Sequence, residues 1–299
     1  MTTADPLGEA VSAAFADPAL GETLAVVVRQ AGQVVSERYA PGVDAATTMP
    51  SWSMAKSVLH LAVGVLVGEG RLSLDTPAPL PGATVEHLLA MRDGLVWRED
   101  YADRAQSDVQ EMLWGRGRAD MAAYVLSRPV AHPPGETFCY SSGTTNLLSA
   151  MVADVVGRGD AYVDWLRANV LDPGGLPSAI PKLDGAGVWV ASSFCFAPAP
   201  ELARLGERCL DGGRGWLPDG WLAEGTRLRS RDEDGDGYGL HWWVPDEQPA
   251  TFEARGHDGQ SISVVPDLDL VVVRLGRTTA AQAPALRCWR RSVIAAAAA

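Results

Sequence analysis

The sequence predicts an α/β fold in which an antiparallel sheet, built from both ends of the chain, is flanked by helices and carries an inserted all-helical lobe. Three observations carry this. Strand-like runs lie near the start ("TLAVVVRQ", "QVVSERYA") and again near the end ("YGLHWWV", "SISVVP", "DLVVVRLG"), each bounded by turn residues. The segments between them repeat their apolar residues at helical spacing. The 299 residues are 47% hydrophobic and 21% charged, enough for a sizeable core, and show no internal repeat.

Residues 7–16 read as a short helix. The "AG" between the first two strand-like runs reads as a tight hairpin turn. A helix over 51–69 follows, ended by Gly68 and Gly70. "TVEHLLAM" reads as a helix with Thr84 as its N-cap. Residues 99–120 are polar and irregular and read as a surface excursion. "TTNLLSAMVADVVG" and "AYVDWLRANVL" are helices by their spacing. From about 188 the texture changes. "VWVASSF" leads into a helix at "PELARLGERCLDG", the C-terminal strands follow, and "RCWRRSVIAAA" closes as a helix before a fraying alanine run. The expected organisation is a discontinuous sheet lobe of residues 1–60 and 188–299 and a mainly helical lobe of 61–187, with the active site in the cleft between them.

The net charge of −12 offers no electrostatic steering toward nucleic acid. The four cysteines, Cys139, Cys195, Cys209 and Cys288, are scattered without a CxxC pair and read as reduced thiols. The N-terminus has no basic region of a secretory signal, and the apolar run at 58–67 is too short to span a bilayer. A soluble, cytoplasmic protein that binds neither nucleic acid nor membrane is expected, as a monomer or homodimer. There is no G-x-S-x-G elbow, no HExxH and no close Cys/His cluster, so neither an α/β-hydrolase nor a catalytic zinc is expected. "DEDGDG" at 232–237 begins like a calcium loop, but its twelfth position is Trp243, and an acidic turn is the better reading. No metal or organic cofactor is called for.

The stretch "SWSMAKSVLHLAVGVLVGEG" raises a chemical question. Of 25 basic residues only Lys56 and Lys182 are lysine, and Lys56 lies on a helix that otherwise reads as core. Ser53 and Lys56, three apart on a helix, share a face. A serine at the helix N-terminus sits among free backbone N–H groups that can hold an oxyanion. A lysine walled by Val58, Leu59 and Leu61 would be desolvated, and its amine could act as a base near neutral pH. Arginine could not. "PPGETFCYSSGTTNLL" puts Tyr140 on a turn before a helix, where an ammonium could tune its phenol. "ARGHDGQSISVVPDLDLVVV" brackets His257-Asp258 between Gly256 and Gly259, a place where a backbone N–H, expected to be that of Gln260, can approach a substrate. His60 reads as a packed core histidine, and Trp97 or Trp242 as candidate walls of an apolar cleft.

Ser-x-x-Lys, then Tyr-Ser-Ser, then His-Asp-Gly, in this order, resembles the penicillin-recognising serine hydrolases: class C β-lactamases, D-Ala-D-Ala peptidases and related esterases. The resemblance runs from about residue 22 to 290 and implies the β-lactamase/transpeptidase-like fold. "GLVWREDYADRAQSDVQ" and "HDGQ" look closest to the 6-aminohexanoate-dimer hydrolase branch, which cleaves short linear amides and esters. The resemblance implies Ser53 as nucleophile, Lys56 and Tyr140 as proton carriers, and the N–H groups of Ser53 and Gln260 as oxyanion hole. It also implies Tyr101, Ser142, His257, Asp258 and Gly259 as substrate contacts. Two positions depart from the family pattern. Ser142 replaces the usual asparagine, and His257-Asp258 replaces the usual lysine-threonine. Asp258 there would repel the carboxylate of a β-lactam, which ranks a small ester or linear amide ahead of one. The alternatives are a D-Ala-D-Ala peptidase or β-lactamase, and a non-catalytic binding or sensor module on the same fold.

Overall fold

The computed structural model describes residues 5–101, 103 and 106–299. The strands are β1 (Glu22–Gln30), β2 (Gln33–Tyr39), β3 (Met49–Pro50), β4 (Ile180–Pro181), β5 (Cys195–Ala197), β6 (Ser230–Arg231), β7 (Gly237–Tyr238), β8 (Phe252–Gly256), β9 (Gln260–Val265) and β10 (Leu270–Arg277). The main sheet has the order β2-β1-β10-β9-β8 and its described pairings are antiparallel. The chain's first and last strands, β1 and β10, therefore lie side by side, with Val27 opposite Val273. Ala31 and Gly32 both take positive φ in the β1–β2 turn, the backbone that matches strand twist.

The helices are α1 (Pro6–Ala16), α2 (Met54–Gly68), α3 (Val85–Leu89), α4 (Asp108–Trp114), α5 (Met121–Leu126), α6 (Ser142–Val156), α7 (Asp160–Leu166), α8 (Ala199–Leu210), α9 (Trp221–Gly225) and α10 (Ala283–Ala297). Side chains alternate across the sheet. Val26, Val28 and Val272 face α1 and α10 with Trp289 and Val293. Ala25, Val27, Val271 and Val273 face the other way, where α8 crosses β1, β9 and β10. That second face continues without a break into the helical region, through Leu59, Leu88 and Leu148. The two lobes expected from the sequence share one core, and the expected boundary at residue 60 falls inside α2.

Other departures have local causes. Within the stretch read as a surface excursion, α4 and a 3-10 turn (Arg116–Ala119) form, and Val109, Met112 and Leu113 are buried. Charged residues hid a short apolar stripe there. "YGLHWWV" is not a continuous strand. Only Gly237–Tyr238 pair with β6, because His241 takes a left-handed backbone (φ 60°) that breaks the extended run. "VWVASSF" likewise yields one bridge, between Leu183 and Trp189, before β5. No described helix is long and apolar enough to cross a membrane.

Candidate active site

The site is built on the N-terminus of α2. Every residue of this helix from Met54 to Leu66 is buried, so Lys56 has no route to solvent along its own stem. At 1% exposure it is core, not a snorkelling surface residue. Its Nζ lies 3.0 Å from Ser53 Oγ, 3.0 Å from Ser142 Oγ and 3.1 Å from the Ser192 carbonyl. Three acceptors match the three donors of an ammonium. Burial brings Lys56 down from 10.5 to about 8, and the nearby Glu99 carboxylate opposes that drop. Ser53 is the N-cap residue of α2, so its own N–H precedes the helical ladder. It follows Trp52, whose φ of +47° is uncommon for a non-glycine residue and turns the chain sharply into the helix.

Tyr140 stands just before α6, and its phenol lies within hydrogen-bonding reach of Ser53. Lys56 Nζ sits 4.9 Å from the Tyr140 ring centroid. Burial, and then Glu99, push the phenol above its ordinary value. Ser53, Tyr140 and Tyr101 line one crevice of about 210 Å³, together with Glu99, Trp243, Arg255, Gly256 and His257. Tyr101 stacks on the His257 ring at 4.6 Å.

Glu99 was not singled out by sequence. It accepts from Ser142 Oγ at 2.5 Å, from the Ser142 N–H at 2.9 Å and from Trp97 Nε1 at 2.7 Å. The Ser142 hydroxyl thus receives from Lys56 and donates to Glu99. It is fully buried and does not line the crevice. Its small side chain is what leaves room for that relay. The signal for Glu99 was the acidic pair before Tyr101 in "REDY".

The third motif is arranged differently from the expectation. β8 is an edge of the sheet, whereas β9 has neighbours on both sides. Gln260, the first residue of β9, gives its N–H to the His257 carbonyl, and its side chain is tied to Gly276 by bonds of 2.6 and 3.0 Å. It does not line the crevice and is not available as an oxyanion donor. Asp258 (φ 61°) and Gly259 turn away with it, toward α10. The residues facing Ser53 are one step earlier. A Cβ on Gly256 would lie 2.4 Å from the Ser51 carbonyl and 3.1 Å from Trp52 Cβ, so glycine lets the hairpin close on the serine turn. His257 opens a single 3-10 turn, where an N–H has no donor role in the turn itself. The cation at the crevice is Arg255, paired with Asp236 at 2.6 Å and Glu253 at 2.5 Å. Asp258 does not line the crevice but lies 3.3 Å from His257 Nε2, which does, and two carboxylates balance the charge of Arg255.

Both buried histidines are structural. His60 stacks on Trp221 at 4.8 Å and accepts from Trp242 Nε1 at 3.0 Å. His241 contacts the Leu89 carbonyl at 2.8 Å, and burial plus the charge of Lys56 push it down to about 3, so it stays neutral. Trp242 packs against Phe252, and Trp97 backs Glu99. The tryptophan that reaches the crevice is Trp243. No group of three or more His, Cys, Asp or Glu among the described residues is placed to hold a metal.

The β-lactamase family model matches residues 15–297. A 6-aminohexanoate-dimer hydrolase of Paenarthrobacter ureafaciens is 27% identical over 289 residues, covering 85% of this chain and 72% of that one. Among solved structures, a β-lactamase from Mycobacterium bovis superimposes with a TM-score of 0.73 at 22% identity, over 97% of this chain and 98% of that one. A hydrolase with promiscuous acyltransferase activity superimposes with a TM-score of 0.71 at 16% identity, over 98% of each chain.

Proposed function

Because the chain belongs to the β-lactamase family, we propose that it is a serine hydrolase that cleaves small esters or linear amides through an acyl-enzyme on Ser53. The observation that carries this reading is the contact of 3.0 Å between Ser53 Oγ and a fully buried amine held near 8. Ser53 attacks the carbonyl carbon and its proton passes to neutral Lys56. Tyr140, held above its ordinary value, keeps its proton, and so suits delivery of a proton to the leaving group better than removal of one from Ser53. Return of the proton from the Lys56 ammonium to the Tyr140 phenolate then balances the step. The oxyanion is held by the N–H of Ser53 and, in place of Gln260, the N–H of His257. Water then releases the acid by the reverse sequence.

The class of substrate is argued from the crevice. It is small, walled by Tyr101, Tyr140, Trp243 and His257, and its guanidinium is already balanced by Asp236 and Glu253. An uncharged, short acyl group fits those walls. The 27% identity to a 6-aminohexanoate-dimer hydrolase, and the likeness to a promiscuous acyltransferring hydrolase, support amides and esters of linear acids. A nitrophenyl butyrate assay tests the reading. Wild type should release a burst of nitrophenol equal to one per chain, and Ser53→Ala should release none. Equal release by both would remove Ser53 from the chemistry.

A further inference from the structure

A second cavity, of about 440 Å³, lies on the opposite side of the β8–β9 hairpin from the crevice, between that hairpin and α10. It falls within the size range of small-molecule sites. Ala283, Leu286 and Trp289 give it an apolar wall, and Arg255, Arg287 and Arg290 give it three guanidinium groups.

Two of those groups are incompletely bonded. Arg290 gives its terminal nitrogens to Glu253 and Glu247, and Arg255 gives Nε to Glu253 and Nη1 to Asp236. Arg290 Nε and Arg255 Nη2 remain buried without a partner among the described residues. Arg290 itself is 5% exposed. Both atoms are closed off from the cavity as well as from solvent, so neither is a donor that a ligand could reach. Arg287 is half-buried on the same wall and has neither an ion pair nor a hydrogen bond among the described residues. The acidic groups at the cavity are Glu253, held by both Arg255 and Arg290, and Asp258, 3.3 Å from His257 at the hairpin.

We propose that this cavity is a binding site for a small linear carboxylate, its head group taken by Arg287 and its chain laid along Leu286 and Ala283. The apolar wall alone would take a neutral molecule. The unpaired Arg287 guanidinium selects an anion. Because Gly256 and His257 line both cavities, an occupant would sit directly behind the residues that close on Ser53.

Sodium hexanoate is the probe, titrated calorimetrically into the full chain beside 1-hexanol, which has the same tail without the charge. One hexanoate per chain is expected, with hexanol at least tenfold weaker. Leu286→Trp, which fills the cavity, and Arg287→Glu, which reverses its free charge, should each weaken hexanoate at least tenfold while ester hydrolysis persists. Tyr101→Ala, which removes a crevice wall and none of the residues lining the second cavity, should leave hexanoate affinity within twofold. Absence of binding, equal binding of hexanol, or loss in Tyr101→Ala with retention in the two cavity variants would each overturn the proposal. The last outcome would place the carboxylate in the crevice instead. Since Arg287→Glu changes a half-exposed residue, the test does not depend on Leu286→Trp folding.

Discussion

Lys56 allows the proposed chemistry to be tested through pH. At about 8, the amine is neutral at pH 7 in about one molecule in ten, where an ordinary lysine would be neutral in about one in three thousand. If neutral Lys56 takes the serine proton, kcat/KM for a nitrophenyl ester should climb close to tenfold per pH unit below about pH 7.5 and flatten above about 8.5. Glu99 supplies the second half of the test. Its carboxylate reaches Lys56 through the shared Ser142 hydroxyl, within about 5.5 Å of Nζ, and it is the group that raises the amine. Glu99→Gln removes the charge, so the amine should lose its proton more easily and the rising limb should move about one pH unit toward acid. The plateau should fall at the same time, because an amide offers one acceptor where the carboxylate receives from Ser142 and Trp97. Lys56→Arg should lose the limb with most of the rate, since a guanidinium stays protonated. The measurement is kcat/KM from pH 5.5 to 9.5, with product followed at a pH-independent wavelength. A limb centred near 10, or a Glu99→Gln profile shifted toward alkali, would refute Lys56 as the base.

Two further substitutions probe the hairpin. Gly256→Ala places a methyl against the Ser51 carbonyl and should push the His257 N–H away from Ser53, lowering kcat by about 10²–10³ while circular dichroism stays unchanged. Retained turnover would mean that this turn is not part of the oxyanion site. Arg274→Met removes a fully buried guanidinium that bonds the carbonyls of Asp258, Gly259, Leu20 and Glu22. It should cost about 3 kcal/mol or more in urea denaturation, because those carbonyls lose their donors. An unchanged midpoint would show that the clamp contributes nothing.

The parts of the fold that sequence revealed are those in which local pattern and final burial agree. The valine runs of β1 and β10 are strands because both of their faces are covered, and α2 is legible because it is apolar all round. The parts that misled are those where a single backbone conformation overrides the pattern. One left-handed residue, His241, breaks a run that has every strand-forming side chain. The same limit applies to the site. Ser53 and Lys56 could be found because their residue types are chemically constrained and one helical turn apart, and Tyr140 because it stands on a turn just before a helix. Glu99 and Arg255 could not be separated from the surrounding acids and arginines, since what distinguishes them is who lies opposite after folding. The place of Gln260 outside the crevice was missed for a topological reason: periodicity marks where β9 begins but not that β8, the strand before it, forms the edge.

That misplacement bears on why serine stands at position 142. With the lysine buried and three acceptors around its Nζ, the site needs a group that accepts from Lys56 while donating toward Glu99. A hydroxyl does both through one atom. An asparagine would reach further, offer its oxygen and nitrogen at separate points, and extend past the buried position that Ser142 occupies. The replacement of the usual asparagine by Ser142 is better understood as an exchange. Under the proposed function, contact with the substrate falls to the crevice residues Tyr101, Trp243 and His257, and position 142 couples the amine to a carboxylate. The charge of Glu99 then sets how far above neutrality Lys56 titrates, which is why the Glu99→Gln profile discriminates between a relay and a packing contact. A packing contact would lower the plateau and leave the midpoint where it was.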